Sequence, residues 1–150
     1  SFFSSRTNVD NTSVSSLACG RSVISVANLD AAANRIHISS SQGPTRDGRP
    51  KPELAAPGTR ITAAKGFDPD EHWTVMTGTS MASPYAAGVA GLMLAANPKL
   101  TASQIQGIMQ RTARPLTADY AWQTDSGYGR LNPEGCLYEV ERLKLKEVRP

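Results

Sequence analysis

Cysteine is scarce in this chain: two in 150 residues, Cys19 and Cys136. Their separation fits neither a zinc site nor a Cys-x-x-Cys redox pair. Two readings stay open, one disulfide of a secreted protein or two small buried thiols, because spacing does not test disulfide geometry. Aromatic residues make up 6%, too few for the stacking platforms that hold single-stranded nucleic acid. Neither sign of charge dominates. Sixteen Lys and Arg against thirteen Asp and Glu give a net +3. The basic residues are scattered except at Arg142, Lys144 and Lys146, which alternate with Glu139, Glu141 and Glu147. That pattern reads as a solvated charged face, and no nucleic-acid partner is expected. The chain opens Ser1-Phe2-Phe3, with no signal peptide visible. The longest uncharged apolar stretch, Val75 to Leu94, is interrupted from Thr77 to Pro84 by small and polar residues. A membrane span needs about 20 strongly apolar residues, so no membrane partner is expected either. Apolar content of 39% and charged content of 19% leave an ordinary globular protein of one-domain size.

Within those bounds the punctuation is clear. Residues 1–20 are rich in Ser, Thr and Asn and read as loop. Val23 to Leu29 is a β-branched run that predicts a buried strand. Ala31 to Asn34 reads as a turn, and Arg35 to Ser39 alternates as a second strand with Ile36 and Ile38 on one face. Ser40 to Pro52, broken by Pro and Gly, reads as a surface loop. Glu53 to Ala56 is a short apolar piece closed by Pro57-Gly58, a turn pair. Arg60 to Ala63 reads as a short strand, Lys65 to Glu71 as loop, and Trp73 to Met76 as extended chain.

From Met81 to Ala96 no side chain is charged, which predicts a helix buried on all sides, with Gly88 and Gly91 admitting close neighbours. Ser83-Pro84 taken alone would start it with Ser83 as cap. Asn97-Pro98 ends it. Thr101 and Gln104 form a capping box. Ile105, Ile108, Met109 and Thr112 follow at helical spacing, and Pro115 stops that second helix. Leu137 to Val148 admits strand or helix. Strands in a row with buried helices between them imply a layered α/β domain.

The segment Gly78-Thr79-Ser80-Met81-Ala82-Ser83-Pro84 carries the chemistry. A serine between small residues at the mouth of an apolar helix suits a nucleophile. Small neighbours let a substrate backbone approach, and a helix start aims unpaired N–H groups at an oxyanion. The segment resembles the nucleophile motif Gly-Thr-Ser-Met-Ala-x-Pro of the subtilisin-like serine peptidases, the subtilases. Other stretches resemble the same family in order and spacing: Ser22 to Asp30, the Gly43-Pro44 segment, Lys51 to Gly58, and the glycine-flanked turn Gly127 to Asn132. The resemblance covers about residues 14–137. It implies a three-layer α/β domain with a mostly parallel sheet and helices on both faces, present here as its C-terminal half over 1–137. Residues 138–150 are then a tail or the start of a further domain. It moves the helix start towards Ser80, keeping Pro84 in the first turn.

The resemblance makes Ser80 the nucleophile and its backbone N–H one donor of the oxyanion hole. The bland alternative for Ser80 is a helix-capping serine. A serine hydroxyl needs a base to take its proton. Subtilases order the triad Asp, His, Ser, so both partners belong upstream of Ser80. No His-Gly-Thr motif occurs here. His37 reads as a strand side chain and His72 as a loop one. The second oxyanion donor, an asparagine in an Ala-Gly-Asn motif, is not assigned; Asn8 and Asn11 lack its neighbours. The resemblance places the walls of the main specificity pocket mostly upstream as well.

The expected activity is therefore a serine endopeptidase acting through an acyl-enzyme on Ser80, incomplete in these residues and acting on protein or peptide substrates. The competing reading is a non-catalytic subtilase-like binding or assembly module. A nucleophile elbow of another hydrolase class needs Gly-x-Ser-x-Gly, and Ala82 occupies its last position. Secretion and calcium enter through the resemblance alone. Asp68-Pro69-Asp70-Glu71 reads as a solvated loop, so no metal site is assigned. Expected partners are the missing N-terminal part of the domain and, through open apolar edges, other copies of the chain.

Overall fold

A computed structural model describes residues 11–66 and 69–147. The expected loop over residues 1–10, with Asn8 in it, and Asp68 lie outside the described residues. A short 3-10 turn, Ser16–Cys19, precedes β1 (Val26–Asp30) and β2 (Arg35–Ile36). Then come β3 (Leu54–Pro57), β4 (Ile61–Ala64), β5 (Trp73–Met76) and the helices α1 (Thr79–Ala96), α2 (Ala102–Thr112) and α3 (Pro133–Glu147).

The fold is α/β, as expected. β1 is the middle of a three-stranded sheet in the order β2-β1-β3. It runs parallel to β3, with Val26 opposite Leu54 and Leu29 opposite Pro57, and antiparallel to β2. Alternation sorts the side chains of these strands onto two faces. Leu54 and Ala56 of β3 face the large core built with all three helices, through Ala82, Ala86, Val89, Met93, Ile105, Ile108, Met109, Cys136 and Val140. Ala27, Leu29 and Ala55 face the other way, into a smaller cluster covered by Ile36 and Leu116. β4 and β5 pair as a separate antiparallel ribbon, Ile61 opposite Met76.

The second strand is shorter than its alternation predicts. It stops at Ile36, because Ser40 N–H donates to the His37 carbonyl and Ser39 N–H to His37 Nδ1, which curls the chain away. Ile38 is then 98% exposed and does not share a buried face with Ile36. The stretch 40–52 is irregular but is not wholly surface: Ser40, Thr45 and Lys51 are buried. The segment past Leu137 is helical, and α3 crosses residues 137 and 138 without a break. Val140 is fully buried and Leu143 packs against the same core.

The apolar helix starts at Thr79, so Pro84 falls in its second turn, one turn later than expected. Having no N–H, Pro84 leaves the Ser80 carbonyl without its helical donor. Burial all round is not what the described residues show. Ala82, Ala86, Val89 and Met93 form a single buried stripe, while Tyr85, Leu92 and Leu94 are exposed. A Cβ on Gly88 or Gly91 would meet nothing within 4 Å. One layer packs on this helix, so one stripe is covered. α2 follows its sequence pattern closely. Gln104 N–H donates to Thr101 Oγ1 and Thr101 N–H to Gln104 Oε1, which completes the capping box. On α3, Arg142 reaches Glu139 at 2.8 Å and Lys144 reaches Glu141 at 3.9 Å, one helical turn apart on a solvated face.

Both cysteines are free. Cys136 is buried against Thr112 Oγ1 at 3.1 Å. Burial pushes its thiol above the ordinary range, against the lowering effect of the Thr112 hydrogen bond. Two thiols should therefore titrate with Ellman's reagent in denaturant without prior reduction, and Cys136 should be protected in the native protein. A native-state mass that rises by two hydrogens on reduction would contradict this. Ile108, fully buried between α2 and the core, should cost about 2–5 kcal/mol when cut to alanine, read from urea midpoints.

Candidate active site

Ser80 lies on the second residue of α1 and is exposed. Gly78 is the residue before the helix, and no side chain caps it. The capping-serine reading of Ser80 therefore has no hydrogen bond to support it. Met81 and Ala82 N–H groups turn back to the Gly78 carbonyl, at 3.0 and 3.4 Å. Among the described residues the Ser80 N–H has no such partner, as expected for the first turn of a helix. It is a free donor at the positive end of the helix dipole.

What places this turn is a close stack of backbone. Gly78 N–H donates to the Gly58 carbonyl at 2.8 Å, joining the turn to the end of β3. A Cβ on Gly58 would stand 2.6 Å from Asn28 Oδ1, 2.7 Å from the Gly78 carbonyl oxygen and 3.0 Å from Ala82 Cβ. Only glycine lets the strand end approach so closely. Below it, Asn28 is fully buried on β1. Its Oδ1 accepts from Thr59 Oγ1 at 3.1 Å, its N–H donates to Ser40 Oγ, and its Nδ2 finds no partner among the described residues. Arg60 N–H donates to Thr77 Oγ1, tying the start of the β4–β5 ribbon to the strand that leads into the motif.

Ser80 opens onto a cleft of about 540 Å³. Its walls include Leu17, Ala18, Val23, Ile24, Val26 and Pro52, with the hydroxyls of Ser15, Ser41, Thr79 and Ser83. No charged side chain lines it. These walls come from residues 14–52 and from the first turns of α1. Residues 14–18 belong to the stretch expected as loop, and a Ser-rich composition carries no signal for a wall.

The histidines stand apart from this arrangement. His37 Nδ1 shares a 2.8 Å hydrogen bond with Ser39 Oγ, and the His72 carbonyl accepts from Lys65 N–H. Among the described residues no hydrogen bond joins either to Ser80. Asn11 sits in an exposed turn. No group of three His, Cys, Asp or Glu side chains converges on a cation position among the described residues, and Glu71 is paired with Lys65 at 2.6 Å. No described helix is long and apolar enough to cross a membrane.

The motif predicts a serine at a helix start, and here Ser80 stands there beside a cleft, next to the end of a parallel strand pair. The sequence model of the subtilase family matches residues 2–129. The chain belongs to that family. It is 37% identical over 122 residues to the halolysin-like extracellular serine protease Nep of Natrialba magadii, covering 81% of this chain and 20% of that one. To subtilisin DY of Bacillus licheniformis it is 34% identical over 115 residues, covering 77% and 37%. Among solved structures, it superposes with a TM-score of 0.66 on fervidolysin of Fervidobacterium pennivorans, a keratinolytic enzyme related to subtilisin. There the identity is 27%, and the match covers 78% of this chain and 19% of that one. The Clostridium perfringens CspB protease shares the fold with a TM-score of 0.78 at 24% identity, over 87% and 29% of the two chains. The chain thus spans well under half the length of these relatives.

The stack at Gly58 makes a sharp prediction. Gly58→Ala should push the Ser80 turn off its seat and reduce turnover per folded molecule on the order of 10²-fold in an active, longer polypeptide. Gly107→Ala is the control. Its added Cβ meets only the mobile end of Arg111, at 3.0 Å, and it should raise stability by about 0.5–1 kcal/mol with turnover unchanged.

Proposed function

We propose that this chain is the nucleophile-bearing part of a serine endopeptidase that hydrolyses peptide bonds through an acyl-enzyme on Ser80. The observation that carries the reading is the exposed Ser80 hydroxyl at the start of α1, opening onto an uncharged cleft. Family membership over residues 2–129 supports it. In this reading Ser80 Oγ attacks the carbonyl carbon of the scissile bond as a histidine takes its proton. The oxyanion forms against the Ser80 N–H and the helix end. The histidine then gives the proton to the leaving amine, and water releases the acyl group.

The histidine and its aspartate come from outside residues 1–150, and the second oxyanion donor is not assigned. Without the base, turnover falls on the order of 10⁶-fold, the magnitude known for subtilisin itself. Lack of one oxyanion donor alone costs about 10²–10³. The isolated chain is accordingly inactive. The upstream part of the domain is its natural partner, and the exposed side of α1 at Tyr85, Gly88, Leu92 and Ala95 is where it packs. Those residues recur at helical spacing along one uncovered strip. Left uncovered, the same strip brings copies of the chain together. Secretion is proposed from relatives named as extracellular and cell wall-associated.

A fluorophosphonate probe tests the reading. The 150-residue chain should label very slowly. A longer polypeptide with the upstream Asp and His segments should label rapidly at Ser80, identified by mass spectrometry, and should cleave casein. Ser80→Ala should abolish both. Rapid labelling of the 150-residue chain would mean that a base lies within it, His72 first. A longer polypeptide that folds but never labels would establish the non-catalytic module instead.

A further inference from the structure

We propose that Asn28 is a positioning residue for Ser80: its buried amide clamps Thr59 and, through Gly58 and Gly78, fixes the turn that carries the nucleophile. The proposal rests on the peptidase reading of Ser80. Asn28 is the middle residue of β1 and is fully buried. Its surroundings are apolar. Ala56 stands opposite it in the β1–β3 ladder, and Val26, on the same face, packs on the core that Ala82 enters from α1. A small apolar side chain would satisfy that place in the core. The amide does not, because Nδ2 is the one buried side-chain nitrogen or oxygen without a hydrogen-bond partner among the described residues. A buried donor left unpaired costs stability. A residue that breaks the packing rule in this way is expected where function requires it.

The other end of the amide shows what it does. Oδ1 accepts from Thr59 Oγ1 at 3.1 Å. It also lies against the bare Cα of Gly58, where a Cβ would come within 2.6 Å of it and within 2.7 Å of the Gly78 carbonyl oxygen. The chain leaves β3 at Pro57 and bends before β4 begins at Ile61. Within that bend Arg60 has φ +53, a left-handed conformation that is unfavourable for a long side chain and has to be held. Thr59, beside it, is where a side chain from β1 grips the bend. The bend in turn seats the motif by two bonds, the Gly58 carbonyl to Gly78 N–H and Arg60 N–H to Thr77 Oγ1. Asn28 therefore stands under both ties between the sheet and the turn of Ser80.

The main-chain groups of Asn28 serve a different wall. Its N–H donates to Ser40 Oγ and its carbonyl accepts His37 N–H. Ser40 lines the cleft. Those two bonds need no particular side chain at position 28. A change in the amide thus disturbs the seat of the nucleophile and leaves the cleft wall at Ser40 in place.

The experiment uses the longer polypeptide with its Asp and His segments. Thr59→Val keeps the shape of the side chain and removes the hydroxyl. Its kcat, and its rate of fluorophosphonate labelling per folded molecule, should fall about tenfold, the rate equivalent of one hydrogen bond. KM should stay within about twofold of wild type. Thr59→Ser, which keeps the hydroxyl, should retain the wild-type kcat. Asn28→Ala should lose as much as Thr59→Val, and the double variant no more than either alone, as partners in one bond do. Ile108→Val, elsewhere in the core, should lower the melting temperature and leave kcat unchanged. A folded Thr59→Val protein with wild-type kcat, or losses that add in the double variant, would overturn the proposal. Should Asn28→Ala not fold, Thr59→Val against Thr59→Ser decides. Failure of the wild type to label at Ser80 is a different result, and it removes the peptidase reading. Amide exchange then decides the seating alone: Thr59→Val should speed exchange at Met81 and Ala82 and leave Asn97 unchanged, whereas unchanged exchange at all three would overturn it.

Discussion

The contact between Gly58 and Gly78 is the constraint on which the rest of the site depends. A single hydrogen bond of 2.8 Å joins the end of β3 to the residue before α1. The bond is ordinary in strength, about 0.5–1.5 kcal/mol net. Its importance is geometric. Gly58 has Asn28, Gly78 and Ala82 on three sides at distances that leave no room for a side chain. The start of α1 is thus fixed against two parallel strands. Ala82, the first buried residue of the helix, enters the core within one turn of Ser80. Position is transmitted from sheet to nucleophile over a few residues of tightly packed backbone, with little freedom to drift.

A second glycine plays a comparable part on the far side of β3. Gly127 has φ +63, and a Cβ there would fall 2.3 Å from the Glu53 carbonyl oxygen. The Tyr128 N–H donates to that same carbonyl, and Trp122 Nε1 donates to Pro52 at 2.8 Å. Residues 51–58 therefore gather the molecule. Their side chains face both hydrophobic clusters, and their backbone meets the loop at 122–129, the first turn of α1 and β1. The 122–129 loop and the motif turn both take their positions from this one segment.

Much of this was legible in the sequence, and the limits have physical reasons. β1, β3 and the ribbon strands were readable because β-branched or apolar runs ended at turn residues. The box at Thr101 and Gln104 and the inward face at Ile105, Ile108 and Met109 were readable because helical spacing is a local signal. Ile38 was misread because alternation says which residues share a face, not whether a neighbour strand continues far enough to cover it. The burial of α1 was over-read for a related reason. An uncharged helix shows that no side demands water, whereas coverage depends on which layers are present. Ser80 was legible through its motif. Asn28 and Gly58 were not, since their partners at Ser40, Thr59 and Gly78 lie 12 to 31 residues away and only the fold brings them together.

Pro84 has one more consequence, for motion within the helix. Because it has no N–H, the Ser80 carbonyl has no donor one turn further along. The turn that bears the nucleophile is held at its base by Gly78 and by the seating of Ala82, with one ladder bond fewer than the turns beyond it. At the other end, Asn97 N–H closes on the Met93 carbonyl at 2.9 Å over a fully buried Met93. The two ends of α1 therefore belong to different tiers of local stability, the front able to open on its own and the rear tied to global unfolding. Amide exchange graded along one helix, fastest where the chemistry is proposed to occur, is the signature of that division.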